Sequence, residues 1–297
     1  MQIGCLVLNA TGSAFPAAAA LELEERGIES MWVPEHSHLP LEHVAYPGGG
    51  DVPPITGMLR EPLVSLAAAA AVTSEIVLGT GVCLALQHDL LGLASSVATL
   101  AEAASSAGAR PRVVLGVAAG WNAAELADHR PDVAFGQRYA ALGERIAALR
   151  AAWQQPEHGF DGRWDRFAPC RRAPLIAPHQ LPVAVGATGP VGMQLAAEVA
   201  DVWCPVDVAL TGATGQIDVA GGIERFREMV AGAGRDDGGP SITLFVWGRP
   251  TAARLDSYEA LGVERVVLRS PTNEPAGLDD LRRQLDAWGD VLAGRQR

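Results

Sequence analysis

The feature that most constrains the fold is a series of eight apolar segments of strand length, separated by segments with helical periodicity. Most of the eight are continuous apolar runs, the pattern expected of parallel strands that are covered on both faces. Between them lie amphipathic stripes such as Tyr139, Leu142, Ile146, Leu149 and Trp153, which recur at intervals of three and four residues. The predicted strands are residues 3–8, 30–34, 76–82, 112–117, 181–187, 201–205, 242–248 and 264–270.

Eight strands alternating with helices in a chain of 297 residues predict an α/β fold, a (β/α)8 TIM barrel that forms one domain over residues 1–297. An open, doubly wound sheet is the alternative, but no GxGxxG motif follows the first strand. Two segments exceed the minimal barrel and are predicted as insertions: residues 35–61 after strand two, and residues 155–180 before strand five. The second contains FDGRWDRF, which is typical of a small β-hairpin.

Charge and residue usage exclude several classes of function. The formal net charge of −11 argues against nucleic acid and against an anionic membrane surface as partners. All 23 basic residues are arginine, so catalysis through a lysine Schiff base is excluded. Four scattered cysteines without a CxxC pair indicate free thiols in a reducing cytoplasm. The N-terminal segment has no basic residue before Arg26, which argues against a signal peptide.

The residues that follow each predicted strand are the first candidates for a site, because (β/α)8 barrels carry their active sites at the C-terminal strand ends. Strand two ends in Glu35 and His36, and the same stretch, WVPEHSHLPLEH, continues with His38, Glu42 and His43. A metal site here would need further ligands from later strand ends, which offer Trp, Gly, Thr, Cys and Arg instead. We therefore predict no metal, a functional role for His36, and solvated loop positions for His38 and His43.

Strands three to five end in glycine-rich segments that suit close approach of a ligand to the backbone. The segment GATGP enters a helix at Pro190, and the free N–H groups of a helix N-terminus can bind an anion without any lysine. After strand four, Trp121 and Asn122 would supply an apolar plane and a polar group. Together these segments predict a flat, phosphate-bearing cofactor lying across the mouth of the barrel.

Five segments resemble the bacterial luciferase-like superfamily, and most closely its branch of oxidoreductases that depend on the deazaflavin coenzyme F420. They are GIESMWVPEHS, EPLVSLAAAAAVTSEIVLGTGVCL, RVVLGVAAGWNAAEL, VAVGATGPVGMQLAAEVADVWCP and LGVERVVLR, in this order along nearly the whole chain. The resemblance implies a (β/α)8 barrel with insertions, a flavin or deazaflavin at the C-terminal mouth, and usually a homodimer. The chain departs from similar proteins at Leu90, where they usually have proline, and at Ala119, where glycine is common.

The resemblance also implies roles for particular residues. Glu35 and His36 match an acid–histidine pair that contacts cofactor and substrate in similar enzymes. Gly81, Val82 and the following Cys83 match a bulge after strand three, where the family often has a non-prolyl cis peptide that supports the ring system. The other implied cofactor contacts are Gly120, Trp121 and Asn122 after strand four, and a phosphate-binding turn of Gly186, Ala187, Thr188 and Gly189.

The function predicted from this resemblance is hydride transfer between coenzyme F420 and a small organic substrate. His36 would be the general acid/base, Glu35 would orient His36 or the ring system, Trp121 would form a wall of the substrate pocket, and residues 38–60 could form a lid. Two alternatives stay open: an FMN-dependent two-component monooxygenase, and a flavin-binding barrel without turnover. A basic groove leading from the phosphate turn would favour F420, and the candidates for it are Arg171, Arg172 and Arg249.

Overall fold

The computed structural model describes residues 1–42, 51–105, 112–173, 176–177, 180–235, 238–269 and 273–293. Eight parallel strands form a closed barrel in the order β1-β10-β9-β8-β7-β4-β3-β2, which confirms the predicted barrel and excludes the open sheet. All eight barrel strands lie within or overlap the predicted segments. In chain order the strands are β1 (Gln2–Leu6), β2 (Ser30–Val33), β3 (Val77–Thr80), β4 (Val113–Val117), β5 (Phe160–Asp161), β6 (Arg166–Phe167), β7 (Val183–Val185), β8 (Val202–Trp203), β9 (Ser241–Val246) and β10 (Arg265–Arg269).

Helices alternate with the barrel strands and bury their apolar stripes against them. Along α5 the stripe read from the sequence is buried at Leu142, Ile146 and Leu149. Pro62 and Pro190 occupy the first positions of α2 and α6, where proline lacks only an N–H that has no partner in the helix. The helices are α1 (Pro16–Glu25), α2 (Pro62–Ala70), α3 (Leu90–Ala103), α4 (Ala123–His129), α5 (Arg138–Gln154), α6 (Pro190–Val199), α7 (Val219–Gly232), α8 (Ala252–Ala260), α9 (Leu278–Ala287) and α10 (Gly289–Leu292).

Both predicted insertions are present. The first carries a short 3-10 turn, Pro54–Met58, and returns to the barrel through an antiparallel bridge between Ala10 and Leu59. Residues 43–50, which include His43 and part of the predicted lid, lie outside the described residues. The second insertion contains the antiparallel pair β5 and β6, which confirms the predicted hairpin.

The centre of the barrel is filled by Trp32, which is fully buried and meets the Phe245 ring edge-on at a centroid distance of 5.5 Å. This packing requires small neighbours. A Cβ added to Gly79 would lie only 2.6 Å from Cδ2 of Trp32, and one added to Gly116 would overlap the carbonyl oxygen of Thr80. The two glycines therefore let β3 and β4 pass close to the indole ring and to each other.

Two further observations concern the sequence-based expectations about a membrane and about a homodimer. Among the helices of the described ranges, none is long and apolar enough to cross a membrane. The outer side of α2 exposes apolar groups: Val64 is 71% exposed, and Val72, just beyond the helix, is 47% exposed. The homodimer implied by the family resemblance stays a prediction.

We expect Gly79→Ala to lower the free energy of unfolding by about 1–3 kcal/mol, because the new methyl group overpacks the Trp32 ring. Urea denaturation followed by circular dichroism measures the change. Gly136→Ala is the matched control, since a Cβ at this exposed position meets no atom within 4 Å. Equal stabilities for the two variants would show that the barrel centre tolerates the extra methyl group.

Candidate active site

The predicted functional residues follow β2, β3, β4 and β7, which are consecutive strands around the barrel. Their C-terminal ends therefore form one continuous arc of the rim. Hydrogen bonds across this arc join Glu35 to Leu84 and His36 to Trp121. Gly186 lies so close to Val82 that an added Cβ would be 3.0 Å from a Val82 methyl carbon. A cavity of about 580 Å³ lies at the opposite end, lined by residues 24–28 and 75–76. Barrels of this kind carry their active sites at the C-terminal strand ends and not at this N-terminal end.

The exit of β3 has the unusual backbone that the family resemblance implies. The peptide bond between Gly81 and Val82 is cis. The Gly81 N–H donates to the carbonyl of Val33 on β2 at 2.7 Å. A Cβ on Gly81 would lie 2.8 Å from the Phe245 ring. The bulge therefore rests directly on the aromatic packing at the barrel centre.

Glu35 ties the end of β2 to the loop that follows this bulge. Its side chain is buried, and Oε2 accepts a hydrogen bond from the backbone N–H of Leu84 at 2.6 Å. Oε1 lies 2.6 Å from Nε2 of His88, and the fully buried Cys83 thiol also hydrogen-bonds to the carboxylate. With both oxygens occupied inside the protein, Glu35 is placed to hold the loop rather than to contact a ligand.

Glu35 and His88 form an ion pair with shifted pKa values. Burial by itself would raise the pKa of Glu35, but the hydrogen bond and charge of His88, with the Leu84 N–H, outweigh it and lower that pKa. Burial by itself would lower the pKa of His88, but the hydrogen bond and charge of Glu35 outweigh it and raise that pKa. Both shifts favour a carboxylate facing an imidazolium.

Arg145 braces the same loop from behind. This guanidinium is buried, and its Nη1 donates to the carbonyls of Ala85 and His88 at 2.6 and 2.7 Å. Its Nε and Nη2 donate to the two carboxylate oxygens of Asp165 at 2.7 and 2.8 Å. Asp165 precedes β6, so the hairpin insertion is tied through Arg145 to the loop after the cis peptide.

His36 points away from this network, toward the exit of β4. Its Nδ1 lies 2.8 Å from Oε2 of Glu125 on α4. Its Nε2 accepts a hydrogen bond from the indole N–H of Trp121 at 3.3 Å, and the two rings meet edge-on. The imidazole is only 13% exposed. His36 and Trp121, two of the predicted catalytic residues, are therefore in direct contact.

The other residues predicted after β4 have mainly backbone and capping roles. Gly120 has a positive φ of 76°, and its carbonyl accepts a hydrogen bond from Nε of Arg138 at 3.1 Å. The buried Asn122 caps α4, because Oδ1 accepts from the N–H of Ala124 at 3.2 Å. Its Nδ2 is buried and finds no hydrogen-bond partner within the described part of the chain.

The predicted phosphate turn lies between β7 and α6, with Gly189 as the N-cap of the helix. Gly189 is exposed, has no side chain to cap the helix, and would meet nothing within 4 Å if it carried a Cβ. Ala187 is buried, and Thr188 is half-buried. Gly189 therefore supplies no side-chain cap for the first N–H groups of α6, an arrangement that suits an anion.

A metal ion does not fit the polar groups of this rim well. The two histidines of the HSH segment diverge, since His36 reaches Glu125 while His38 Nε2 reaches Asp128 at 2.9 Å. Glu35, Cys83 and His88 could bring ligand atoms within 4.8 Å of one another. However, these atoms already hydrogen-bond to each other, and burial raises the pKa of the Cys83 thiol well above its ordinary value. Glu35, Cys83 and His88 are better explained as a network of mutually interacting side chains than as metal ligands.

Comparison with known proteins agrees with the fold. Residues 10–265 match the family model described as luciferase-like monooxygenase. The chain belongs to the luciferase-like monooxygenase family. It is 36% identical over 278 residues to an uncharacterized protein of Mycobacterium tuberculosis, a match that covers 91% of this chain and 92% of the relative.

Two other proteins that are similar to this chain carry coenzyme F420 in their names. An F420-dependent glucose-6-phosphate dehydrogenase of Beutenbergia cavernae is 33% identical over 183 residues, covering 60% of this luciferase-like chain and 48% of the dehydrogenase. The solved structure of an F420-dependent secondary alcohol dehydrogenase in complex with an F420–acetone adduct superposes with a TM-score of 0.73. That match covers 100% and 99% of the two chains at 14% identity, and so concerns the fold.

Sequence analysis missed three residues of this luciferase-like site: His88, Arg145 and Glu125. Glu125 lies in the GWNAAEL segment, one helical turn beyond the N-cap Asn122, and that spacing was an available signal. His88 lies in QHDLL, the segment in which the chain departs from its relatives. Arg145 interrupts the apolar stripe of α5, so a buried partner could have been expected for it.

The Glu35–His88 pair makes stability depend on pH. The raised pKa of His88 contributes stability that is complete below its ordinary value of 6.5 and is lost as the pH rises through the raised value. The lowered pKa of Glu35 contributes stability that is complete above its ordinary value of 4.5 and is lost as the pH falls through the lowered value. Wild type should therefore exceed His88→Gln in unfolding free energy most between pH 4.5 and 6.5.

Urea unfolding of both proteins across this range measures the difference. His158→Gln is the control, because His158 is exposed and contacts Gln155. A difference between wild type and His88→Gln that stays constant from acid to neutral pH would contradict the ion pair.

Proposed function

We propose that this luciferase-like protein is an F420-dependent oxidoreductase that transfers a hydride between the coenzyme and a small organic substrate. The observation that carries the proposal is that the Gly81–Val82 segment and the His36 imidazole lie at the exits of neighbouring strands. Glycine at a strand exit suits the close approach of a flat ring, and an adjacent imidazole suits proton exchange. The relatives named for F420 support the choice of coenzyme.

The residues present fit such a coenzyme. When bound, it would supply a two-electron hydride donor or acceptor. The Gly81–Val82 bulge and the Gly120–Trp121 segment would hold its ring system. The open N-terminus of α6, after Gly189, would hold its phosphate, since the uncapped N–H groups there favour an anion.

The chain's own side chains divide the remaining tasks. We assign proton exchange with the substrate to His36, whose Nε2 faces Trp121 at the rim. Trp121 provides an apolar wall and excludes water from the imidazole. Glu35 is assigned a positioning role, because both of its oxygens are occupied by Leu84 and His88.

The FMN-dependent monooxygenase remains the rival, and the arginines do not decide between the two cofactors. Arg172 donates to the carbonyl of Ala152 and the hydroxyl of Ser95, on α5 and α3, away from the phosphate turn. Arg249 is exposed after β9. The preference for F420 therefore rests on the relatives.

Fluorescence titration with F420 and with FMN tests the coenzyme. We expect tight binding of F420 and weak binding of FMN, with tenfold or greater weakening in Gly189→Asp, because the new carboxylate repels the phosphate. Asp is a favoured N-cap, so this variant should fold. Gly289→Asp adds the same charge at an open position on α10 and is the control. Tight binding of FMN alone would overturn the proposal.

His36→Gln tests the acid/base. The amide keeps a polar partner for Glu125 but cannot exchange a proton, so we expect turnover to fall by about a hundredfold to ten-thousandfold. The affinity for F420 should stay within about twofold of wild type. The assay follows F420 absorbance with a panel of small secondary alcohols that begins with 2-propanol. Unchanged turnover in the variant would remove His36 from the mechanism.

A further inference from the structure

Two histidine–carboxylate pairs join the loop after β2 to helix α4. His36 Nδ1 lies 2.8 Å from Glu125, and His38 Nε2 lies 2.9 Å from Asp128. The pairs differ in burial: the side chains of the first pair are 13% and 1% exposed, and those of the second are 39% and 65% exposed. The same loop and helix therefore provide a buried pair and an exposed pair of the same chemistry.

The contacts of the buried pair select one tautomer of His36. A carboxylate oxygen is an acceptor, so Oε2 of Glu125 at 2.8 Å requires a proton on Nδ1. The indole N–H of Trp121 is only a donor, so its approach to Nε2 at 3.3 Å requires a lone pair there. Both neighbours thus favour the Nδ1–H form, with Nε2 free to take a proton.

The buried Glu125 carboxylate needs the hydrogen bond from His36, just as the tautomer of His36 is set by Glu125. The glutamate is fully buried, and its other oxygen, Oε1, has no hydrogen-bond partner among the residues that the structure describes. A buried carboxylate is costly unless it is paired and hydrogen-bonded, and Nδ1 of His36 is the hydrogen-bonding group found on it. The exposed Asp128 has no such need, because water solvates it.

We propose that Glu125 is a positioning residue that keeps the proton of His36 on Nδ1 and reserves Nε2 for the substrate. The role in turnover rests on the proposed function. The reaction considered is that of an alcohol, the substrate class in the name of the F420-dependent structural neighbour, or of the carbonyl compound in reverse. Nε2 would take the hydroxyl proton, and oxidised F420, when bound, would supply the acceptor for the carbon-bound hydrogen and its two electrons, so that the C–O bond becomes a carbonyl. The imidazolium so formed faces the Glu125 carboxylate, which stabilises it.

The first test is nitrogen NMR of the full-length protein labelled with 15N-histidine, without any coenzyme. The ring signals of His36 are assigned by their loss in His36→Gln. We expect a protonated Nδ1 and an unprotonated Nε2 in wild type and in Asp128→Leu, and a shift toward the Nε2–H form in Glu125→Leu. A protonated Nε2 in the neutral wild-type ring, or an unchanged spectrum in Glu125→Leu, would overturn the proposal.

The second test is a double-mutant cycle in thermal stability. His36→Ala leaves the Glu125 carboxylate buried without its partner, so its unfolding midpoint should drop further than that of His36→Ala/Glu125→Gln. The matched cycle of His38→Ala and Asp128→Asn should be additive, because that pair is exposed. Additive losses in the buried pair as well would contradict the dependence of Glu125 on His36.

Activity then separates this inference from the proposed function. With 2-propanol and F420, Glu125→Leu should lower kcat at least tenfold while F420 affinity stays within about twofold, and Glu125→Asp should recover part of the loss. Failure of wild type to bind F420 would defeat the proposed function and leave the NMR and stability results to decide the tautomer. Full kcat in Glu125→Leu, with F420 bound normally, would defeat the positioning role.

Discussion

The packing of Trp32 at the centre of the barrel is the constraint on which the rest of the structure depends. The indole occupies the space that eight short strands enclose, and Gly79 must stay without a side chain for the ring to fit. Phe245 covers one edge of the indole, and Gly81 in turn leaves room for Phe245. The cis bulge at the rim is thus supported by the core. The residues packed together in this inner layer are Leu6, Trp32, Val114, Ala184, Val202, Cys204, Phe245 and Val267.

The dipeptide Glu35–His36 shows how one strand end can serve two purposes. The two side chains diverge, with the carboxylate turned toward the loop after β3 and the imidazole toward α4. The Glu35 carboxylate is fixed by His88 in an ion pair whose pKa shifts both favour the charged forms. The His36 imidazole keeps one nitrogen at the rim, against a single long contact from Trp121. Because Glu35 is fixed in place, Nε2 of His36 stays available at the rim.

The sequence alone predicts the fold well and the site in part, and the difference has a physical cause. Apolar runs and turn glycines are local signals, so the barrel, both insertions and the hairpin at 160–167 could be predicted. Strand ends are also local, which is why His36 and Trp121 could be expected at one rim. The partners of Glu35 and His36 lie 53 and 89 residues away along the chain, so no local signal says which residues pair with them. The pairings with Glu125 and His88 can therefore be recognised only in the closed barrel.

The absence of lysine has a consequence for how this luciferase-like chain distinguishes cofactors. Under the proposed function, backbone N–H groups at α6 would bind a phosphate by its charge, and both FMN and F420 carry one, so this turn would not choose between them. The choice would have to come from contacts with the acidic tail that only F420 has. At the exits of β9 and β10, Arg254 pairs with Asp207, and Arg269 lies over the Trp247 ring. Arg249, exposed after β9, would be the guanidinium to meet that tail under the proposed function, in which the preference for F420 rests on the relatives.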